Sequence, residues 1–132
     1  MSLLLDTNIC VYALKQHPAV PERLLSKARP EVSLSVITEA ELRAGAAKSA
    51  SPARTLRLLE NFLAPLNVLE FSSGDAAAYA QVRAKLERAG MPIGPLDTLI
   101  AAHALARELT LVTNNEREFR RVTGLRVENW AV

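Results

Sequence analysis

Leu3-Leu4-Leu5-Asp6-Thr7-Asn8 is the stretch whose reading decides the fold. Three leucines closed at once by three polar residues predict a short buried strand that runs into a polar turn. The unit recurs downstream. Residues 32–36 (Val-Ser-Leu-Ser-Val) alternate apolar and polar positions and predict a second strand, followed by a helix over 38–44 with Gly45 at its C-terminal side. Residues 67–71 and 109–113 predict two more strands, and 125–127 an edge strand. Helical spacing fills the intervals: 9–14, 22–28 (between the Pro18/Pro21 break and Pro30), 53–63, 74–89, 96–108 and 116–121. Residues 45–52 read as a loop, and Gly90 to Pro95 carries two Gly and two Pro in six positions. Short strands alternating with helices need crossovers. They imply an α/β protein whose central, mainly parallel sheet is covered on both faces.

Composition agrees. The chain has 132 residues, 49% apolar and 23% charged, which suits one globular domain over 1–132 with room for a core of its own. A single cysteine, Cys10, excludes an internal disulfide and suits a reducing compartment. No apolar run approaches the roughly 20 residues of a membrane-spanning helix. The start meets Asp6 without a basic n-region, so it does not read as a signal peptide. The expectation is a cytoplasmic protein with no membrane contact. Sixteen basic against fourteen acidic groups give a net charge of +2, so bulk charge does not drive nucleic-acid binding. Twelve of the sixteen are Arg, the better bidentate partner for phosphate, although Arg is equally an ordinary helix-surface residue.

In open parallel sheets the working site lies beyond the carboxyl ends of the strands. Asp6 directly follows the first strand. Glu41 lies in the first turn of the helix after the second, and Thr113, Asn114, Asn115 and Glu118 follow the fourth. Asp97 opens the helix after Gly94-Pro95, but that helix precedes a strand, so local rules alone do not place it on this edge. Each residue has a plainer reading. Asp6 can close an Asx-turn or cap a helix. Glu41 completes a Thr38-x-x-Glu41 capping box. Asp97 gains from a helix dipole, and Glu118 and Asn114-Asn115 suit a solvated face and a turn. Taken together, the acids say more. Like charges about 4 Å apart cost on the order of 4 kcal/mol at an effective dielectric of about 20, so convergence needs protons or a cation. Oxygen donors without Cys or His favour Mg²⁺, with Mn²⁺ able to substitute, over Zn²⁺. Such a site activates water and stabilises charge developing on a phosphodiester.

The same residues resemble a known family. Leu-Leu-Leu-Asp6-Thr-Asn is similar to the first motif of PIN-domain ribonucleases. Val36-Ile-Thr-Glu-Ala-Glu41-Leu-Arg-Ala-Gly45 resembles the second, with Glu41 and not Glu39 at the ligand position. Gly94-Pro-Leu-Asp97-Thr-Leu-Ile-Ala-Ala-His103-Ala resembles the third, and Leu111-Val-Thr113-Asn114-Asn-Glu-Arg-Glu118-Phe, followed by Val122-x-Gly124-Leu125, the fourth. The four motifs run in order through the whole chain. They look most like the VapC branch, the toxin half of type II toxin–antitoxin pairs.

The resemblance implies a three-layer α/β/α fold, a Mg²⁺-dependent endoribonuclease, a homodimer, a cognate antitoxin protein, and an RNA substrate for which tRNA is the first guess. It implies Asp6, Glu41 and Asp97 as metal ligands. Glu118 would fill a fourth acidic position where many members carry Asp in or after the Thr-Asn turn, with Asn114 a neutral neighbour. Thr7, Asn8, Thr113 and Asn114 would orient water or a phosphate oxygen. Arg43 and Arg117 are candidates for flanking phosphates, against the plainer reading of solvated charge. The few aromatics, Phe62, Phe71, Phe119, Tyr12, Tyr79 and Trp130, suggest no base-stacking platform.

The remaining residues draw plainer readings. His103 on an apolar helix reads as packed, His17 as part of a Pro-rich turn, Cys10 as core, and Trp130 as a seal on the core edge or a dimer contact. Two rival functions stand beside the nuclease. An Asp-nucleophile phosphatase also places its nucleophile after the first strand, but its second Asp, two positions on, is Asn8 here. A non-catalytic acidic module would use the same acids only to recognise a basic partner.

Overall fold

The computed structural model describes residues 2–15 and 31–130. The helix expected over 22–28, with the break at Pro18/Pro21 and His17, lies outside the described residues. The elements are β1 (Leu3–Leu5), α1 (Thr7–Leu14), β2 (Val32–Ser35), α2 (Val36–Ala47), α3 (Pro52–Leu63), β3 (Asn67–Leu69), α4 (Ser73–Arg88), α5 (Pro95–Ala106), β4 (Thr110–Val112), α6 (Glu116–Phe119) and β5 (Val127–Glu128). The strands form one parallel sheet in the order β3-β2-β1-β4-β5. β1 is central and reads Leu-Leu-Leu because both its faces are covered. Leu3 and Leu5 join Ile9, Leu34, Leu42, Leu59 and Trp130 on one side. Leu4 joins Val82, Ile100, Leu111 and Phe119 on the other. The result is the expected three-layer α/β/α sandwich.

Several boundaries differ from expectation, each for a local reason. β2 is buried along its whole length, Ser33 and Ser35 included, so its alternation marks no solvent face. Val36 belongs to the helix, because Ser35 caps it by accepting the Ile37 N–H at 3.0 Å. α2 therefore starts two residues early, and it continues through Gly45 to Ala47. The Thr38/Glu41 capping box does not form: Thr38 is buried inside the first turn. On α3, Leu59 and Leu63 are buried while Leu56 and Leu58 are exposed, so the apolar stripe is narrower than its leucine spacing suggests. The edge strand is Val127–Glu128, shifted C-terminally. Trp130 is a core residue with no exposed surface, as is Cys10.

Register builds the site. Leu5 sits opposite Leu34 on one side and Val112 on the other. The next residues, Ser35, Asp6 and Thr113, therefore lie side by side where the three central strands end. The Asp6 N–H extends the ladder to the Val112 carbonyl at 3.0 Å.

α4 and α5 form an antiparallel pair. Gly90, at φ 68°, adopts the left-handed turn that ends α4, with the Met91 N–H reaching back to the Leu86 carbonyl at 2.9 Å. At the other end, Asp75 near the start of α4 meets Arg107 just beyond α5 at 2.9 Å. Three residues then lead from α5 into β4. A helix entering a parallel strand through so short a turn runs antiparallel to it. Its N-terminus, and Asp97 with it, thus returns to the level of the strands' carboxyl ends. Among the described residues no helix is long and apolar enough to cross a membrane.

Candidate active site

Asp6 is 3% exposed and does two jobs at once. Its Oδ1 accepts the Ile9 N–H at 2.9 Å and so caps α1. Its Oδ2 accepts the Thr113 hydroxyl, which in turn accepts the Asn115 N–H at 2.9 Å. The cap reading was correct, and it does not exclude chemistry: the cap fixes the carboxylate at the sheet edge.

Glu41 projects from α2, and its Oε1 accepts a 2.6 Å hydrogen bond from the Thr7 hydroxyl. Thr38 stands 3.3 Å from the same hydroxyl. Glu118 on α6 is held by the Asn115 side-chain amide at 3.0 Å. Asn114 instead donates to the Tyr12 hydroxyl at 2.8 Å. Asn8 is exposed at the start of α1. Thr7 and Thr113, expected to orient water or phosphate, thus hold carboxylates. Asn115, expected at the strand ends only as a turn residue, holds Glu118, and Thr38, read only as a cap, stands beside Thr7.

Charge ties these groups together. Burial foremost pushes the Asp6 carboxyl up to about 6, with Asp97 and Glu41 adding to the rise against the hydrogen bonds from Thr113 and Ile9. Asp97 is also raised, first by burial and then by Glu118 and Glu41. Four acids from four separate segments therefore share one field. Among the described residues, none of the four is paired with a Lys, Arg or His.

The third aspartate shows the contrast. Asp75 is equally buried, but Arg107 and the Ser72 N–H and hydroxyl outweigh that burial and hold it at about 2. Asp75 has its counter-charge; among the described residues Asp6 and Asp97 do not. Arg43, one candidate for a flanking phosphate, is engaged by Glu39 at 2.7 Å and Glu60 at 3.1 Å. Arg117 is exposed.

The donors suit a hard divalent ion: they are carboxylate oxygens in a part-buried, unneutralised cluster. Among the described residues, however, no three His, Cys, Asp or Glu groups already form a closed ligand cage. A hard divalent ion that keeps several waters and takes only one or two carboxylates directly needs no such cage.

Comparison with known proteins places this arrangement. Residues 3–125 match the PIN domain family. The chain is 42% identical to a tRNA(fMet)-specific endonuclease VapC of Shigella flexneri, over 99% of both chains. It superimposes on the VapBC2 complex of Rickettsia felis bound to a promoter DNA fragment with a TM-score of 0.93, at 40% identity, over 98% of this chain and 99% of that one. Against the DNA-bound VapBC of Salmonella typhimurium the TM-score is 0.94 at 41% identity, over 98% of each chain. Family motifs, strand order and near full-length identity converge: the chain belongs to the PIN-domain family, within its VapC-type ribonuclease toxins.

Proposed function

We propose that the chain is a single-domain endoribonuclease toxin that uses Mg²⁺, or Mn²⁺ in its place, held by Asp6, Glu41 and Asp97. One observation carries this reading: Asp6, Glu41, Asp97 and Glu118 share one electrostatic field at the strand ends with no basic partner among the described residues. A divalent ion held there would neutralise that field, polarise a phosphodiester and acidify a water. Hydrolysis joins that water's oxygen to phosphorus while one P–O ester bond breaks.

The chain's own groups set the geometry. Thr113 and the Ile9 N–H fix both oxygens of Asp6. Thr7 fixes Glu41, and Asn115 fixes Glu118. Asn8 and Arg117 are the exposed polar groups beside them, suited to meet the RNA backbone. The Shigella relative is named for tRNA(fMet), and initiator tRNA is the substrate we assign here. The matched VapBC structures carry the name of a family of toxin–antitoxin systems, so a cognate antitoxin is the expected partner. A homodimer in the cytoplasm completes the assignment.

The phosphatase reading lacks its second acid at Asn8. A purely binding module gives no reason for acids held at raised pKa with no counter-charge. Cleavage of transcribed tRNA(fMet) by the full chain decides the matter. Mg²⁺ should support cutting, EDTA should stop it, and folded Asp6→Asn and Asp97→Asn should lose it. Undiminished cutting by either variant refutes the assignment.

A further inference from the structure

His103 is fully buried on α5, six positions after Asp97. Its Nδ1 lies 2.8 Å from the Ser35 hydroxyl oxygen, 68 positions away in sequence. Ser35 is itself fully buried and caps α2, six positions before Glu41. That hydroxyl accepts the Ile37 N–H, and with the Asp75 carboxylate on the Nε2 side of the ring we assign the hydroxyl's own proton to Nδ1. The ring is then the Nε2–H form. Nε2 has no hydrogen-bond partner and faces Asp75 Oδ2 at 3.6 Å. Asp75 is locked by Ser72 and Arg107, and Arg107 Nη2 also binds the Glu70 carbonyl at 2.9 Å. Phe71 packs edge-on against the ring at 5.2 Å. The imidazole is therefore tied through Nδ1 to Ser35 and held by packing and by the nearby Asp75 carboxylate elsewhere.

This tie matters because of what its two ends carry. Glu41 on α2 and Asp97 on α5 repel each other. We propose that His103 is a positioning residue for the nuclease, tying the capped start of α2 to the middle of α5 so that Glu41 and Asp97 keep one spacing. The proposal rests on the reading of those two acids as metal ligands. It assigns His103 no contact with RNA or metal.

The test uses the full chain, with Mg²⁺ alone as the binding probe and transcribed tRNA(fMet) as substrate. His103→Leu and Ser35→Ala should each keep the parent's far-ultraviolet spectrum. Each should weaken calorimetric Mg²⁺ affinity about tenfold, and lower kcat about 10- to 100-fold with KM unchanged. The double variant should be no worse than His103→Leu, because the two residues act through one bond. His103→Asn, which keeps an acceptor, should recover part of both losses. A folded His103→Leu with parental kcat and Mg²⁺ affinity overturns the proposal.

Should His103→Leu fail to fold, the parent decides. Added Mg²⁺ should move the His103 ring signals in the NMR spectrum of the parent but not of Asp97→Asn, and an unmoved ring in the parent overturns the proposal. Failure of the underlying reading looks different: the parent itself would bind no Mg²⁺, or Asp6→Asn would cut normally. That result removes both claims, whereas an inert His103 leaves the acid assignment standing.

Discussion

The Thr7 hydroxyl donates to Glu41 across 34 positions of sequence, at 2.6 Å. It joins the first residue of α1 to the second turn of α2 and leaves the carboxylate one preferred direction. Thr7→Val keeps the shape and removes the donor. It should lower kcat for tRNA(fMet) about tenfold with KM little changed, at a stability loss of about 1 kcal/mol. Thr7→Ser should behave as the parent. Parental kcat in Thr7→Val would show that Glu41 needs no such restraint.

Asp6 predicts an unusual pH dependence. Its carboxyl stands at about 6 in the fold against an ordinary 3.8, so the folded state holds this proton more tightly than the unfolded chain. The associated stability is complete below 3.8 and is lost as pH rises through about 6; it amounts to roughly 3 kcal/mol. Asp6→Asn has no such loss. In Mg²⁺-free buffer, its melting temperature relative to the parent should therefore climb between about pH 4 and about pH 7. A constant difference across that range would contradict the origin assigned to the shift.

Asp75 predicts the opposite slope. Held at about 2, it adds stability above 3.8 that disappears as pH falls through about 2. Arg107→Gln weakens the restraint and should bring acid unfolding on at higher pH. At neutral pH the loss should be about 1–3 kcal/mol, because Arg107 is 36% exposed and water screens part of the pair. An unchanged acid limb in Arg107→Gln would show that Ser72 alone holds Asp75.

Much of this was legible in the sequence, and the exceptions have physical causes. The Leu3-Leu4-Leu5 triplet announced a strand buried on both faces, and the following polar residues announced its end. The Val32-Ser33-Leu34-Ser35 alternation announced β2, and the sheet's cover on both faces buries its serines too. Ser35 was the true cap of α2, while Thr38-x-x-Glu41 matched the capping pattern three positions too late.

The position of Asp97 followed from topology, not local rules: its helix had to descend alongside the sheet to enter β4. The partners of Thr7, Thr113 and His103 lie 34, 107 and 68 positions away. No local pattern encodes such pairs; the parallel register does. The pairing of α4 with α5 gives Asp75 its arginine, while the strand ends leave Asp6 without one among the described residues.

Titration of Mg²⁺ into the full chain, followed calorimetrically, tests the central claim most directly. The parent should show saturable binding that raises its melting temperature in line with ligand occupancy. Folded Asp6→Asn and Asp97→Asn should lose both the binding and the rise. Equal Mg²⁺ affinity in all three proteins would mean that the acids at the strand ends do not share an ion, and the account would fail.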